Sequence, residues 1–283
     1  MQTALITGAT SGLGRATAHG LAAKGWRVIV GGRDRRRTET VVAQLRDATG
    51  NEAVEGIVWP LSSRHYVRSA AAEVLAKCER LDVLVNNAAT LIKSRRTTHE
   101  GLEATFMINY LAPFMLTQLL LGRLCASAPA RVINIVSHLH RFVRALDFDD
   151  LQSQRSYRAV YGAFAQSKLE LMMSTYALAR RLQGSGVTAN CIDPGLFRTA
   201  MTNSPAAPLY IKVARPFLPH SPRRAAETVM HAATAPELAN VSGVCLAHNG
   251  EIRTSDASRD EAAQERLWRI SLELAELPPE NPA

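Results

Sequence analysis

The stretch Thr7-Gly8-Ala9-Thr10-Ser11-Gly12-Leu13-Gly14 constrains the fold of this chain more than any other. The apolar run Thr3-Ala4-Leu5-Ile6 leads into it and predicts a short buried strand. The segment beyond it carries Ala16, Leu21 and Ala22 at helical spacing. Strand, glycine turn and helix, in that order, are what a phosphate-binding turn requires. Glycine admits tight dihedrals and lets a pyrophosphate approach without a Cβ in the way, and the helix aims its unpaired N–H groups at the anion. The spacing is G-x3-G-x-G rather than the commoner G-x-G-x-x-G. A glycine-rich turn without a ligand is the plain alternative.

The same alternation continues along the chain. Short apolar runs at 27–32, 53–58, 81–85, 131–136, 187–192 and 244–246 predict further strands. Helical patterns follow them, to about Thr49, over 67–78, over 103–126, over 161–182 and around 224–233. Continuous apolar strands alternating with helices imply an α/β fold: one doubly wound, mostly parallel sheet with helices on both faces. No linker or repeat interrupts the pattern, so 1–283 reads as a single domain. Ligands bind such sheets at the carboxyl ends of the strands. Residues with chemistry to offer fall there: the glycine turn, Arg33, Asn86, Ser137 and Pro194-Gly195. Packing alone does not account for five strand ends of this kind.

Composition excludes several classes. Hydrophobic residues make up 47% of the 283 and are evenly spread, as in a globular protein. No apolar run reaches the roughly 18 residues of a membrane span, and the chain opens directly on its first strand. The expectation is a cytoplasmic protein without a membrane anchor. The net charge of +8 comes from scattered arginines with few aromatics, so an anionic cofactor is a better partner than nucleic acid. Cys78, Cys125, Cys191 and Cys245 lie too far apart to read as a metal site.

Taken in order, these motifs resemble the short-chain dehydrogenase/reductase family over nearly the whole chain. Thr7, Gly8, Gly12 and Gly14 match its TGxxxGxG turn. Asn86-Asn87-Ala88-Ala89 matches NNAG with alanine last. Asn109 matches its active-site asparagine, Ser137 its catalytic serine and Lys168 the lysine of YxxxK. Pro194-Gly195 with Thr199 matches the segment that cups the nicotinamide. Ser167-Lys168-Leu169 and the tail 235–271 are most similar to the retinol dehydrogenase-like branch, whose common membrane anchor is not expected here. The resemblance implies a Rossmann-type fold and a nicotinamide cofactor held by Gly8, Thr10, Ser11, Gly12, Leu13, Gly14, Asn87, Ala88, Lys168, Pro194, Gly195 and Thr199. Members that prefer NAD carry an acidic residue at the end of the second strand. Here Gly32 and Arg33 stand there, and a guanidinium grips a 2′-phosphate bidentately, so NADP(H) is expected. Arg15 or one of Arg35 to Arg37 is a further candidate. Pro60 replaces the family's usual aspartate, which weakens the adenine site.

The family's chemistry also implies a tyrosine four residues before the lysine, as proton donor. That position is Phe164, which keeps the ring and loses the proton. General acid catalysis is worth about 10²–10⁴-fold, so carbonyl reduction is expected to be impaired. Three readings stay open: an engineered knock-out, a native phenylalanine on a scaffold with a non-redox reaction of the cyclase or isomerase type, or a substitute donor. Tyr161 and His138 are the donor candidates, and each also reads as simple packing or pocket lining. A fourth use of the fold is cofactor binding without catalysis.

The segment 196–222, with Phe197, Met201, Leu209 and Phe217 among prolines, is expected to form an apolar lid over a lipophilic substrate. His138, Phe197 and Met201 are the candidate substrate contacts. The resemblance further implies a homodimer or homotetramer built by the long helices after Glu103 and Tyr161. Leu116, Leu119, Leu120, Leu171, Met172 and Tyr176 would then lie on the shared faces unless they are core. A final helix over 262–277 is expected to cover the substrate site or a neighbour.

Overall fold

A computed structural model describes residues 1–195 and 222–279. Its centre is an eight-stranded sheet in the order β3-β2-β1-β4-β5-β6-β7-β8. The strands are β1 Thr3–Ile6, β2 Arg27–Gly32, β3 Val54–Val58, β4 Val83–Asn86, β5 Ala130–Ile135, β6 Val187–Ile192, β7 Cys245–Ala247 and β8 Gly250–Glu251. All neighbours pair in parallel except β7 with β8, a short antiparallel hairpin that the apolar pattern does not predict. The order reverses between β1 and β4, which pair at Ala4–Val83 and Ile6–Val85. That reversal opens a crevice at their carboxyl ends.

Alternate residues of each strand feed two cores, as the period-2 geometry of a strand demands. On one face Leu5, Ile29 and Leu84 pack under α3 (Arg64–Lys77), α4 (Ala112–Ala126), α5 (Ala165–Arg181) and, further along, α7 (Glu261–Ala275). On the other, Ala4, Ile6, Val28 and Val30 pack under α1 (Gly12–Ala23), α2 (Arg35–Thr49) and α6 (Arg223–Thr234). Helices therefore cover both faces, as the alternation of strand and helix predicts.

Two long helices differ from the expected regular α-helix. The helix entering α4 runs from Ala104 and is π-helical over Met107–Leu111. The one entering α5 is π-helical over Ala159–Phe164. Single-turn π segments inside helices occur frequently at functional sites, because one extra residue in the turn re-aims the side chains around it.

The apolar faces expected to join subunits are covered within the chain. Leu116, Leu120, Leu171, Met172 and Tyr176 are all buried, and Leu119 packs against the same core. Part of the cover is α7, whose Trp268 meets Phe114 edge to face at 4.9 Å. So α7 lies on α4 and α5, and the expected subunit faces are core. The continuous helix Ala104–Ala126 is long and apolar enough to cross a membrane, but 89% of its most apolar window is buried. It is the core helix of this sheet.

Candidate active site

The glycine turn closes over the end of β4. Gly8 has φ +65°, and a Cβ there would stand 2.9 Å from the Cα of Ala88. A Cβ on Gly14 would stand 2.5 Å from Asn87 Nδ2 and 2.7 Å from the Gly8 carbonyl oxygen. Both positions need glycine because two loops meet at van der Waals distance. The contact is hydrogen-bonded as well as close. Asn87 Nδ2 donates to the carbonyls of Thr7 (2.8 Å) and Gly8 (3.3 Å). The Thr7 hydroxyl oxygen accepts the N–H groups of Asn87 and Ala88, each at 3.0 Å.

Beyond the turn, Ser11 is the N-cap of α1 with an extended backbone, and its hydroxyl makes no cap hydrogen bond. The first-turn N–H groups at Gly12, Leu13 and Gly14 thus face the crevice with the positive end of the helix dipole, which is an anion site. Thr10 is half-buried beside them. Arg33 is exposed directly after β2. Arg37 is drawn in from α2, its Nε donating to the Thr10 carbonyl at 3.4 Å, while Arg15 bonds Gln44 Oε1 instead. These residues fit a dinucleotide whose phosphates lie on the α1 terminus.

The catalytic candidates lie at the ends of β4 and β5. Asn109 lies in the first π segment and is fully buried. Its Oδ1 accepts the Thr90 N–H at 2.7 Å, and its Nδ2 donates to the Thr90 carbonyl and to Ser167 Oγ at 3.0 and 3.1 Å. Asn109 thereby ties the loop after β4 to α5. Ser137 caps the 3₁₀ turn His138–Phe142, its Oγ accepting the Leu139 N–H at 3.3 Å. That bond uses a lone pair and leaves the hydroxyl proton for a ligand oxygen.

Lys168 is buried in α5, and its Nζ donates to the Ile135 carbonyl at 2.8 Å. Burial lowers its pKa to about 8, because taking an ammonium out of water favours the neutral amine. Phe164 lies beside it, 7% exposed, with its ring centroid 5.8 Å from Nζ.

Tyr161 does not share Phe164's environment, although an α-helical count puts the two close to one face. The π segment widens the turn and separates them: Tyr161 is 41% exposed, and its ring packs edge-on against Phe142 at 4.8 Å. His138 is half-buried at the start of the 3₁₀ turn. Pro194 and Gly195 follow β6, where the Gly195 N–H is held by Asp193 Oδ1 at 3.1 Å. Thr199, Phe197, Met201 and nearly all of the expected lid over 196–222 lie outside the described residues. Among the described residues no cluster of His, Cys, Asp or Glu could hold a metal ion.

Sequence reasoning misses the role of His140. It is fully buried behind Ser137, its Nδ1 lies 2.8 Å from the Ser137 carbonyl, and its Nε2 accepts the Ser255 N–H at 3.3 Å. Burial lowers its pKa, so the neutral ring with its proton on Nδ1 satisfies both partners. Ser167, in sequence no more than a mark of family likeness, is the partner of Asn109. Its place one residue before Lys168, on a buried helix face, is the signal that could find it.

Comparison with known proteins agrees with this geometry. The family model for short chain dehydrogenases matches residues 2–208. Retinol dehydrogenase 13 of Mus musculus is 39% identical over 282 residues, covering 98% of this chain and 84% of the relative. Polyprenol dehydrogenase of Homo sapiens is 37% identical, covering 96% and 84%. The Pseudomonas aeruginosa RhlG/NADP active-site complex superposes with a TM-score of 0.70 at 29% identity, over 87% of this chain and 94% of that one. A short chain dehydrogenase from Burkholderia cenocepacia in complex with NADP gives 0.70 at 27%, over 87% and 95%. With the glycine turn, Asn109, Ser137 and Lys168 arranged as described, the chain belongs to the short-chain dehydrogenase/reductase family, in its retinol dehydrogenase-like branch.

Proposed function

We propose that the protein is an NADP(H)-dependent oxidoreductase acting on a lipophilic carbonyl or alcohol, slowed by the phenylalanine at its general-acid position. The observation that carries this reading is that Asn109 is bonded to the loop after β4 and to α5, while Ser137 and Lys168 both lie at the end of β5.

NADP(H) is the cofactor. The first turn of α1 takes the pyrophosphate, and Arg33 with Arg37 takes the 2′-phosphate. The nicotinamide, when bound, supplies or accepts a hydride at the substrate carbon. Ser137 donates its hydroxyl proton as a hydrogen bond to the substrate oxygen, and His140 fixes the Ser137 backbone from behind. Asn109 holds the Thr90 loop against α5. Support for NADP over NAD comes also from the NADP-bound relatives of similar fold. A lipophilic substrate is supported by relatives named for retinol and polyprenol.

The test is NADPH consumption by the unsubstituted chain and by Phe164→Tyr over a panel of apolar aldehydes, ketones and quinones. A gain of about 10²–10⁴-fold in the tyrosine variant is the expected result. If both proteins bind NADPH and neither consumes it, the non-redox reading, which the missing phenol favours, takes its place.

A further inference from the structure

Among the described residues this chain has no phenol beside Lys168, and the groups around it narrow the sources of a proton there. Tyr161 is 41% exposed and its ring packs on Phe142. Tyr157 has its hydroxyl between Thr105 Oγ1 at 3.1 Å and the Ile92 carbonyl at 3.0 Å, and burial raises its pKa. His140 uses both ring nitrogens on Ser137 and Ser255. Ser137 is an alcohol, too weak an acid to supply the proton alone.

Lys168 is different. It is a buried ammonium with three N–H groups, of which the Ile135 carbonyl takes one. No carboxylate bears on it among the described residues. The titratable group that does is the Cys191 thiol on β6, which burial pushes up to about 12 and keeps neutral. An ammonium without a counter-ion in a dry site releases its proton readily.

We propose that Lys168 is the proton donor of this chain: its Nζ, beside the ring of Phe164, protonates the substrate oxygen directly or through one water. This rests on the oxidoreductase reading above. In the reducing direction the substrate carbon accepts the hydride, and the C=O π pair moves onto oxygen. An N–H bond of Lys168 breaks with its electron pair staying on Nζ, and the O–H bond of the alcohol forms. The neutral amine is then reprotonated from solvent. In a relative with tyrosine the lysine acts through the phenol; here it acts itself, from a position further back.

The experiment has two arms. In the cofactor-free protein, the Lys168 side chain is titrated by NMR, with Lys168→Arg to assign the signal. A midpoint near 8 is expected, and a midpoint in the ordinary lysine range overturns the proposal. In the second arm NADPH turnover is followed against pH for the native chain, Phe164→Tyr, His138→Asn, and Lys168→Arg in both backgrounds, with NADPH binding measured for each. The rate of the unsubstituted chain is expected to fall about tenfold per pH unit above 8, with the same inflection kept in His138→Asn whatever that variant's absolute rate. Arginine keeps the charge but not the transferable proton, so Lys168→Arg is expected to cost about 10²-fold more in the native background than in the Phe164→Tyr one. Equal losses in the two backgrounds, or loss of the inflection near 8 in His138→Asn, overturn the proposal. Turnover by Phe164→Tyr with none by the native chain overturns it too and leaves the oxidoreductase reading standing. No turnover by either ends both.

Discussion

Glu170 lies two residues beyond Lys168, fully buried, with Oε1 accepting from Gln166 Nε2 at 3.1 Å and Oε2 without a hydrogen bond. Burial, helped by nearby Glu103, raises its pKa from 4.5 to about 8. The folded chain therefore keeps a proton that the unfolded chain releases, and stability falls as pH rises from the carboxylate range to about 8. Glu170→Gln is expected to remove that dependence and to stabilise the protein at pH 8 by a few kcal/mol, since a tenfold change in proton affinity is worth about 1.4 kcal/mol. Thermal melts of both proteins at pH 5 and pH 8 check it. His140 works with the opposite sign: its pKa is lowered, so stability is full above the ordinary histidine range and is lost as pH falls below it. At this scale the sequence is readable where chemistry demands one residue type. Asn109, Ser137 and Lys168 stand out by type and spacing. Thr90, Ser167 and Ser255 do not, because each matters only through a partner brought near by distant segments.

The strands and most helices are legible because burial on both faces writes continuous apolar runs, and helical periodicity marks the rest. The π segments are not, since a widened turn leaves no periodic trace over five or six residues. Their effect is large: the same winding that buries Asn109 separates Tyr161 from Phe164. The first π segment is braced by α7, where Tyr110 and Ser271 share a buried hydrogen bond of 2.5 Å. Ser271→Ala leaves the Tyr110 hydroxyl buried without that partner, whereas Tyr110→Phe removes the hydroxyl itself. Leaving a buried polar group unsatisfied costs about 1–3 kcal/mol. Ser271→Ala is therefore expected to lower the melting temperature more than Tyr110→Phe, and the reverse order would show that the bond does not brace the segment.

Over the whole molecule, the apolar side chains of α4 and α5 that the family likeness would place on shared faces are buried within the chain, partly under its own C-terminal helix. Trp268 packs on Phe114, and Arg181 stacks on it at 4.3 Å from the ring centroid. Arg180 and Arg181 both bind Glu265, at 2.9 and 2.5 Å. Trp268→Ala is expected to cost about 3–5 kcal/mol and to turn the uncovered α4–α5 face into a site of self-association. Sedimentation at several concentrations checks this: species larger than those of the unsubstituted chain should grow in the variant. A cover supplied from a distant part of the chain cannot be read from helix periodicity, which reports a buried face but not what buries it.

The latch formed by Thr7 and Asn87 has a thermodynamic consequence. Four hydrogen bonds join the ends of β1 and β4 in the cofactor-free chain. A cradle assembled in advance loses little conformational freedom when its guest arrives. The amides of Asn87 and Ala88 are thus expected to exchange with deuterium slowly even in the empty protein, with little further protection when NADPH is added.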